Sequence, residues 1–335
     1  RPIHGGAIYM YKGGFTYLYY ERIYIDIGQQ TALNCNIGDN MKKNYVKKDL
    51  MQDVTNRIIE QLESGSVPWV KPWKGDGGYR GESCLPKNLI TGKAYRGINR
   101  LILWGASESN YFLTYRQAKL KGGNVKKGAK GHAIAFYSPI KIEDKIKKGE
   151  FTVIPLMKSY TVFAVEDCEG IELPEEKEWY VPAETRHAKA DECLKPADIR
   201  HGGDSAYYSP SHDHIQLPVQ AAFKTPADYY ATALHELTHW TSHKTRCDRN
   251  LVGRFGDTAY AREELCAELG AAFLCADLGI EGKLQHAAYI ESWLKVLKGD
   301  KKAIFTAAGQ AQKAVDFIQG VEVANEDKEA TAATA

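Results

Sequence analysis

Apolar residues follow helical spacing in several segments of the chain. Leu50, Val54, Ile58 and Leu62 recur every four positions before Gly65, which predicts a helix over residues 49–64. The same reasoning predicts further helices at 99–106, 115–120, 189–194, 227–244, 258–278, 285–297 and 301–318. Strands are predicted at 133–137, 159–165, 206–209 and 213–217, with a charged, mobile insert at 141–150. This mixture indicates an α+β fold.

Changes in composition divide the chain into domains. Its 335 residues exceed one average domain and suit two. An acidic, proline-containing stretch at 166–185 is typical of a linker, with a first domain at 41–165 and a second at 186–320. Residues 1–40 lack an amphipathic period and Met41 resembles a natural start, so we interpret them as a non-native or upstream extension. The small and acidic residues 321–335 predict a flexible tail.

The strongest chemical signal is the sequence His-Glu-Leu-Thr-His at 235–239. His235 and His239 are four residues apart and share one helical face, so both imidazoles can bind one cation. Glu236 lies one residue round the turn, where it can act as the general base of a hydrolytic reaction. The preceding Thr-Pro-Ala-Asp at 225–228 resembles a capping box with proline at the first helical position, which independently supports the helix.

A hydrolytic zinc site uses three protein ligands and keeps one position open. Glu264 and Glu268 are four residues apart on an otherwise apolar helix, and carboxylates on a packed face must be paired or bind metal. We therefore predict Glu264 as the third ligand and Glu268 as the carboxylate that orients a histidine, whereas Glu263 is expected to point away. The alternatives are a solvated carboxylate stripe paired with lysine or arginine, and an accidental histidine pair.

Other polar residues near this motif are weaker candidates. His243 continues the histidine series but lies one turn too far for the same ion, so a role at the surface or helix end is favoured. His212 and His214 are alternative ligands without standard spacing, and a structural role is favoured for both. Tyr207 or Tyr208 is a candidate for stabilising an oxyanion.

Charge is distributed unevenly along the chain. The whole sequence has 44 Lys and Arg against 42 Asp and Glu, a net charge of +2. Residues 41–165 carry 23 basic against 10 acidic residues, residues 1–40 carry three of each, and residues 166–335 carry 18 against 29. The first domain therefore has the electrostatic character of a polyanion binder, whereas the second is acidic.

Cysteine usage and hydropathy exclude other classes of protein. Seven cysteines without a C-x-x-C pair indicate free thiols in a reducing cytosol rather than a disulfide scaffold. No apolar run approaches 18 residues and no signal-peptide pattern occurs, so neither a transmembrane helix nor a membrane partner is expected. We expect a cytoplasmic protein.

Aromatic residues are interleaved with basic residues in the first domain. Bases stack on aromatic rings while lysine and arginine follow the phosphates, and this suits single strands, whose bases are free to stack. No helix-turn-helix, zinc-finger or zipper pattern occurs, so sequence-specific duplex recognition is not expected. The alternatives are that Trp69 and Trp73 are core residues of a proline-rich turn and that the lysines merely solvate the surface. The predicted contacts are Trp69, Lys71, Trp73, Lys74, Arg80, Tyr95, Arg96, Arg100, Tyr115, Lys119, Lys126, Lys127 and Lys130.

Several blocks of sequence in both halves carry a resemblance to one family. In the first half these blocks are 49–65, Val-Pro-Trp-Val-Lys-Pro-Trp at 67–73, 85–99, 114–119, 125–131 and 160–165. In the second half they are 235–239, 242–246, 254–256, Glu-Glu-Leu-Cys-Ala-Glu at 263–268 and 289–298. They resemble the ArdC-type antirestriction proteins of conjugative plasmids, over about residues 45–320, and a related region occurs in some plasmid primases. The family pattern has Asn where this chain has Ala164.

This resemblance implies a basic, single-stranded-DNA-binding α+β domain followed by a mainly helical, zincin-like metallopeptidase domain. The Glu-x-x-Ala register of zincins fits Glu264 to Ala267, which favours Glu264 over Glu263. Zinc, or another divalent metal such as manganese, is the implied cofactor. The implied function is largely sequence-independent binding of single-stranded DNA that protects incoming plasmid DNA during conjugation, in the cytoplasm of the bacterial donor or recipient.

Two rival functions remain open. An active metallopeptidase would cleave a DNA-associated protein or a host restriction component, with the first domain as a DNA-targeting module. An accessory role in replication priming is disfavoured, because the first half has no acidic cluster resembling that of a polymerase.

Overall fold

The computed structural model describes residues 49–69, 85–107, 109–143, 149, 151–173, 183–249, 258–282 and 289–321. The predicted extension at 1–40 and residues 322–335 of the predicted tail lie outside these ranges. Helices and strands are mixed along the chain, which confirms the α+β class.

The helices are α1 (Leu50–Glu63), α2 (Ile98–Leu103), α3 (Tyr115–Leu120), α4 (Ala183–Leu194), α5 (Pro226–Trp240), α6 (Thr258–Leu278), α7 (Ile290–Gly299) and α8 (Ala303–Gln319). The strands are β1 (Lys87–Asn88), β2 (Tyr111–Thr114), β3 (Asn124–Val125), β4 (His132–Glu143), β5 (Phe151–Ala164), β6 (Cys168–Glu169), β7 (Asp198–His201), β8 (Tyr207–Ser209) and β9 (His214–Leu217).

Helix α1 forms where the apolar spacing predicts it. Asp49 caps the helix by accepting a hydrogen bond from the Gln52 backbone N–H at 3.2 Å, which satisfies one of the free donors of the first turn. The apolar stripe that includes Val54 and Ile58 is buried, and the helix packs against α7. The chain leaves the helix through Gly65, whose φ of +78° a glycine adopts without strain.

A four-stranded sheet in the order β1-β2-β5-β4 forms the centre of the first domain. β1 is parallel to β2, and the other neighbouring strands are antiparallel. β4 and β5 pair along their whole length, from His132 opposite Val162 to Glu143 opposite Phe151. The prediction of an insert at 141–150 is therefore wrong for 141–143, because backbone pairing extends the hairpin beyond the apolar pattern.

The first domain extends past residue 165. β6 pairs antiparallel with β3 in a two-stranded sheet. The Glu166 carboxylate accepts hydrogen bonds from the Ser107 hydroxyl and from the hydroxyl and N–H of Ser109, at 2.8–3.0 Å. Residues 166–169, at the start of the linker predicted at 166–185, are thus paired with residues of the first domain. Residues 174–182 lie outside the described ranges.

The second domain combines a three-stranded sheet, in the order β7-β9-β8, with a group of helices. Thr225 caps α5 by accepting a hydrogen bond from the Asp228 N–H at 3.1 Å, and Pro226 lies in the first turn. β7 is largely exposed and lacks apolar alternation, so the sequence pattern does not predict it. No helix within the described ranges is long and apolar enough to cross a bilayer.

Helices α5 and α6 approach each other closely at Gly270 and Thr238. A Cβ atom at position 270 would lie 2.5 Å from Thr238 Cγ2, which is closer than packed atoms come. Thr238 is fully buried, and its hydroxyl donates a hydrogen bond to the Leu234 carbonyl at 2.9 Å, so it has no room to move. The two helices reach this separation because position 270 carries no side chain.

The two domains share one hydrophobic core. Apolar residues of α1, α2, β2 and β5 join those of α5, α6, α7 and α8 in a continuous cluster. Arg100 of α2, with 4% of its side chain exposed, pairs with Asp277 of α6 at 2.8 Å and lies 4.9 Å from the centre of the Phe273 ring. These contacts join both domains in one compact unit.

Replacing Arg100 by methionine should destabilise the protein strongly. The change preserves most of the side-chain volume but removes the cation from the largely buried Asp277 carboxylate, a loss of about 3–5 kcal/mol in comparable pairs. Lys195→Met is the matched control, because Lys195 pairs with Glu192 at the surface, where ion pairs contribute under about 1 kcal/mol. Urea unfolding measures both free energies; equal losses would contradict the buried role of Arg100.

Glu166 makes the stability of the first domain depend on pH. Burial alone would raise the pKa of its carboxyl group, but hydrogen bonds from Ser109 and Ser107 lower this pKa to about 2, against an ordinary 4.5. The stabilisation of the folded protein by the ionised Glu166 carboxylate is complete above pH 4.5. It is lost as the pH falls from 4.5 through about 2. The difference in unfolding free energy between the wild type and Glu166→Gln should shrink over this range. A constant difference would show that these hydrogen bonds do not stabilise the charged form.

Candidate metal centre

Helix α5 carries the two histidines of the motif on one face. His235 and His239 are one turn apart, and their ring centroids are 4.9 Å apart with the rings nearly perpendicular, at 80°. Glu236 lies between them in sequence and is 8% exposed. The helix therefore brings two imidazoles to one place and a buried carboxylate beside them.

Glu264 of α6 completes the cluster. Its Oε2 atom lies 3.5 Å from His235 Nε2, and its Oε1 atom lies 3.4 Å from His239 Nε2. One ligand atom from each of the three residues lies within 4.8 Å of the others. Two imidazole nitrogens and a carboxylate oxygen are the donor set of a zinc site that keeps a fourth position open. The structure thus brings together the three residues that the sequence predicts as ligands.

Glu263 contacts His239, so the prediction that it points away is wrong. Its Oε1 atom lies 3.2 Å from His239 Nδ1, and its two oxygens accept hydrogen bonds from the Arg249 guanidinium at 2.9 and 3.1 Å. The prediction assumed that only one face of α6 is packed against other residues. Almost the whole helix is buried, so adjacent residues such as Glu263 and Glu264 both contact side chains in the interior. Glu263 and Arg249 together fix the His239 ring. The presence of a third glutamate in an otherwise apolar helix is the sequence signal that Glu263 has a buried partner. No sequence pattern indicates that Arg249 is that partner.

Glu268 lies beside the other histidine and connects it to the first domain. Its Oε2 atom lies 3.6 Å from His235 Nδ1, and its Oε1 atom accepts a hydrogen bond from the Trp69 indole N–H at 3.3 Å. Trp69 is 2% exposed and packs edge-on against Trp293, with ring centroids 5.6 Å apart. A side chain of the first domain therefore holds a carboxylate of the metal centre in place.

The centre concentrates negative charge in a buried place. Four buried glutamates lie on the motif and on α6, and among the described residues Arg249 is the guanidinium that pairs with them. Burial alone would raise the pKa of Glu264, but hydrogen bonds with both histidines lower it, so the carboxylate is ionised at neutral pH. Burial would lower the pKa of His239, whereas Glu263 and Glu264 raise it. The field that favours a proton here also favours a divalent cation, so these residues fit a metal.

Tyr260 is a neighbour of the centre that the motif does not reveal. It lies one turn before Glu264 on α6. Burial raises the pKa of its phenol, and hydrogen bonds with Tyr289 and Glu264 raise it further. A protonated hydroxyl is therefore placed at the carboxylate ligand.

The other candidates from the sequence do not join the three ligands. Among the described residues, the group of His, Cys, Asp or Glu side chains with metal-binding geometry is the one already described. His243 Nδ1 lies 2.9 Å from the Thr245 hydroxyl. The Tyr208 hydroxyl donates a hydrogen bond to Asp213 at 2.8 Å, which gives it a structural partner.

Four of the residues predicted to contact DNA make contacts inside the protein. Trp69 and Arg100 are buried, so neither offers a ring face or a charge to a ligand. Arg96 is paired with Asp316 of α8 across the domain boundary. Tyr95 packs edge-on in the core, and burial raises its pKa to about 12. Residue type does not reveal burial, and the second domain supplies the partners of Trp69, Arg96 and Arg100.

The remaining predicted contacts are at the surface or outside the described residues. Tyr115 is 52% exposed, and the Lys119 ammonium lies 5.7 Å from the centre of its ring. The lysines of the turn before β4 are also exposed. We define the basic face as Tyr115, Lys119, Lys126, Lys127 and Lys130. The residues outside the described ranges are Lys71, Trp73, Lys74 and Arg80.

Two family models match the chain. Residues 48–163 match the N-terminal domain of the anti-restriction factor ArdC. Residues 188–310 match a zincin-like metallopeptidase domain, MPTase-PolyVal, and contain the whole metal centre. These matches confirm the two-domain architecture.

Curated relatives share most of the chain. The uncharacterized protein y4eC of Sinorhizobium fredii is 39% identical over 285 residues, which are 81% of this chain and 91% of that protein. The DNA primase TraC of Escherichia coli is 39% identical over 300 residues, which are 83% of this chain but 28% of the primase. Both domains are therefore present together in these relatives.

Solved structures of the antirestriction protein ArdC from the R388 plasmid are similar over nearly their full length. The metal-free structure is 41% identical with a TM-score of 0.66, and the match covers 84% of this chain and 99% of that one. The Mn(II)-bound structure is 42% identical with a TM-score of 0.65, covering 82% and 98%. Together with the His-His-Glu cluster, these matches support a divalent metal in the centre, zinc or manganese. This chain belongs to the ArdC antirestriction family.

Proposed function

We propose that this protein binds single-stranded DNA, largely without sequence preference, and thereby protects incoming plasmid DNA from restriction during conjugation. Membership of the family supports an antirestriction role in conjugative plasmids. The observation that carries the finer proposal is the basic face, where the exposed Tyr115 ring has the Lys119 ammonium 5.7 Å from its centre and further exposed lysines follow in the turn before β4. Aromatic rings stack with bases and ammonium groups attract phosphates, so this surface suits a strand whose bases are unpaired.

The charge of the two domains supports the same assignment. Residues 41–165 carry 13 more basic than acidic residues, and residues 166–335 carry 11 more acidic than basic residues. A polyanion is attracted to the first domain and repelled by the second. We assign DNA binding to the first domain and place the protein in the cytoplasm of the donor or recipient cell. The cysteines of the described residues are free, as in proteins of a reducing compartment.

The metal centre supports a second candidate function, an active metallopeptidase that cleaves a DNA-associated protein or a host restriction component. A bound divalent cation supplies Lewis acidity to a peptide carbonyl. Glu236 is the buried carboxylate next to the ligands that would accept the proton of the attacking water. Glu263 holds the His239 imidazole in orientation, and the Glu268 carboxylate lies 3.6 Å from His235 Nδ1. The first domain would then bring the peptidase to proteins on DNA.

Binding to a thymidine strand of about twelve nucleotides should weaken steeply with salt, because lysines displace counterions from the phosphates. Lys119→Gln/Lys127→Gln removes two contacts and should reduce the slope of log affinity against log salt by about 1.4. Lys189→Gln/Lys195→Gln removes two exposed charges, one on α4 and one directly after it, and is the matched control. Fluorescence anisotropy at several salt concentrations measures both. Affinity that does not change with salt, or equal slopes for the two double variants, would refute binding at the basic face.

Glu236→Gln separates the two candidate functions. The amide retains the shape of the side chain but does not accept a proton, so metal content and DNA affinity should equal those of the wild type. Our principal proposal expects protection of plasmid DNA to survive this change. His239→Gln removes a ligand and is the control for loss of metal, which elemental analysis detects. Loss of protection in Glu236→Gln, with DNA binding intact, would instead favour the active peptidase.

A further inference from the structure

A cavity of about 370 Å³ opens in the first domain and is lined by none of the residues of the metal centre. It lies between α1, the end of α2 and the turn before β4. Its volume is within the usual range for sites that hold small organic ligands. The side chains that carry its chemistry are Arg57, Gln61, Trp104, Lys130, His132 and Asp167.

The cavity has an excess of positive charge. Arg57 and Lys130 face it together with a single carboxylate, that of Asp167. The Arg57 guanidinium donates a hydrogen bond to the Ile102 carbonyl at 3.3 Å, and no carboxylate among the described residues pairs with it. Partial burial lowers the pKa of Arg57, and no acidic neighbour counteracts this effect. Arg57 is exposed at the mouth of the cavity, and an arginine without a carboxylate partner can bind a phosphate group.

His132 adds a neutral polar group to the cavity. Its side chain is buried, and its ring packs edge-on against Phe112. Burial lowers its pKa, the charges of Lys130 and Arg57 lower it further, and Asp167 acts in the opposite direction. The ring is therefore neutral at neutral pH and offers a hydrogen bond rather than a charge.

Trp104 supplies apolar surface to the cavity. Its ring lies nearly parallel to that of Phe273, with the ring centroids 6.4 Å apart. Its indole N–H is buried away from solvent and has no hydrogen-bond partner, so Trp104 offers a ligand ring surface rather than a hydrogen bond.

We propose that this cavity holds one nucleotide of a bound single strand, with the phosphate at Arg57 and Lys130 and the base against Trp104. A nucleotide combines an anion, a flat apolar ring and hydrogen-bond acceptors, which are the features that these residues match. Lys130 lines the cavity and is also one of the exposed lysines of the basic face, so under this proposal one lysine contacts both the nucleotide in the cavity and the neighbouring strand. The inference rests on the proposed function and adds a discrete site to it.

Two variants test the two parts of the nucleotide separately. Arg57→Gln removes a phosphate contact and should reduce the salt slope for the thymidine strand by about 0.7. Ala106→Leu narrows the cavity but retains its charges, and it should weaken binding of the thymidine strand about fivefold or more through loss of one stacked base. An abasic strand of equal length keeps the phosphates, so Ala106→Leu should bind it as the wild type does. Lys189→Gln is the control for the loss of one exposed charge.

The outcomes distinguish this inference from the function on which it rests. If Arg57→Gln and Ala106→Leu bind the thymidine strand like the wild type while Lys119→Gln/Lys127→Gln binds weakly, the cavity proposal is wrong and the proposed function stands. If the wild type does not bind the strand, both fail. Thermal shift with thymidine monophosphate and with inorganic phosphate identifies the source of the ligand. If thymidine monophosphate raises the melting temperature and the thymidine strand does not displace it, the cavity binds a free nucleotide and the proposal is overturned.

Discussion

The close contact between α5 and α6 is the constraint on which the metal centre depends. Gly270 lies directly against Thr238, and this contact sets the separation of the two helices. At that separation Glu264 reaches both histidines of α5, and Glu263 reaches the far nitrogen of His239. A wider gap would move the carboxylates out of contact and leave them buried without partners, which is costly. The geometry of the ligands is thus a consequence of helix packing.

The same buried carboxylates explain how the domains are joined. Buried polar groups need hydrogen-bond or ionic partners, and here some of these partners lie in the other domain. Trp69 donates to Glu268, and Arg100 pairs with Asp277 on the same helix. Basic and aromatic residues of the first domain therefore occupy two distinct environments. Those that face α6 lie in the interior, while those on the basic face are exposed.

Periodic features of the structure could be predicted from the sequence, and tertiary features could not. The four-residue spacing of His235 and His239 predicts that both imidazoles share one face, because helical geometry converts sequence distance into direction. Glu264 lies on another helix, so its place beside them depends on how α5 and α6 pack. Arg249 has no such relation to its partner, so its contact with Glu263 emerges only from the fold. The predicted DNA contacts include Trp69 and Arg100, because the sequence does not distinguish a tryptophan or arginine that contacts a ligand from one that is buried in the core.

The hydrogen bond between Trp69 and Glu268 has a consequence for the evolution of the family. A metal domain separated from its partner would lose the donor that holds Glu268 beside His235. The two halves are therefore expected to be inherited as one block and recombined with other modules only as a whole. The TraC primase agrees with this expectation, since its match covers 83% of this chain and therefore includes both halves within a much longer protein.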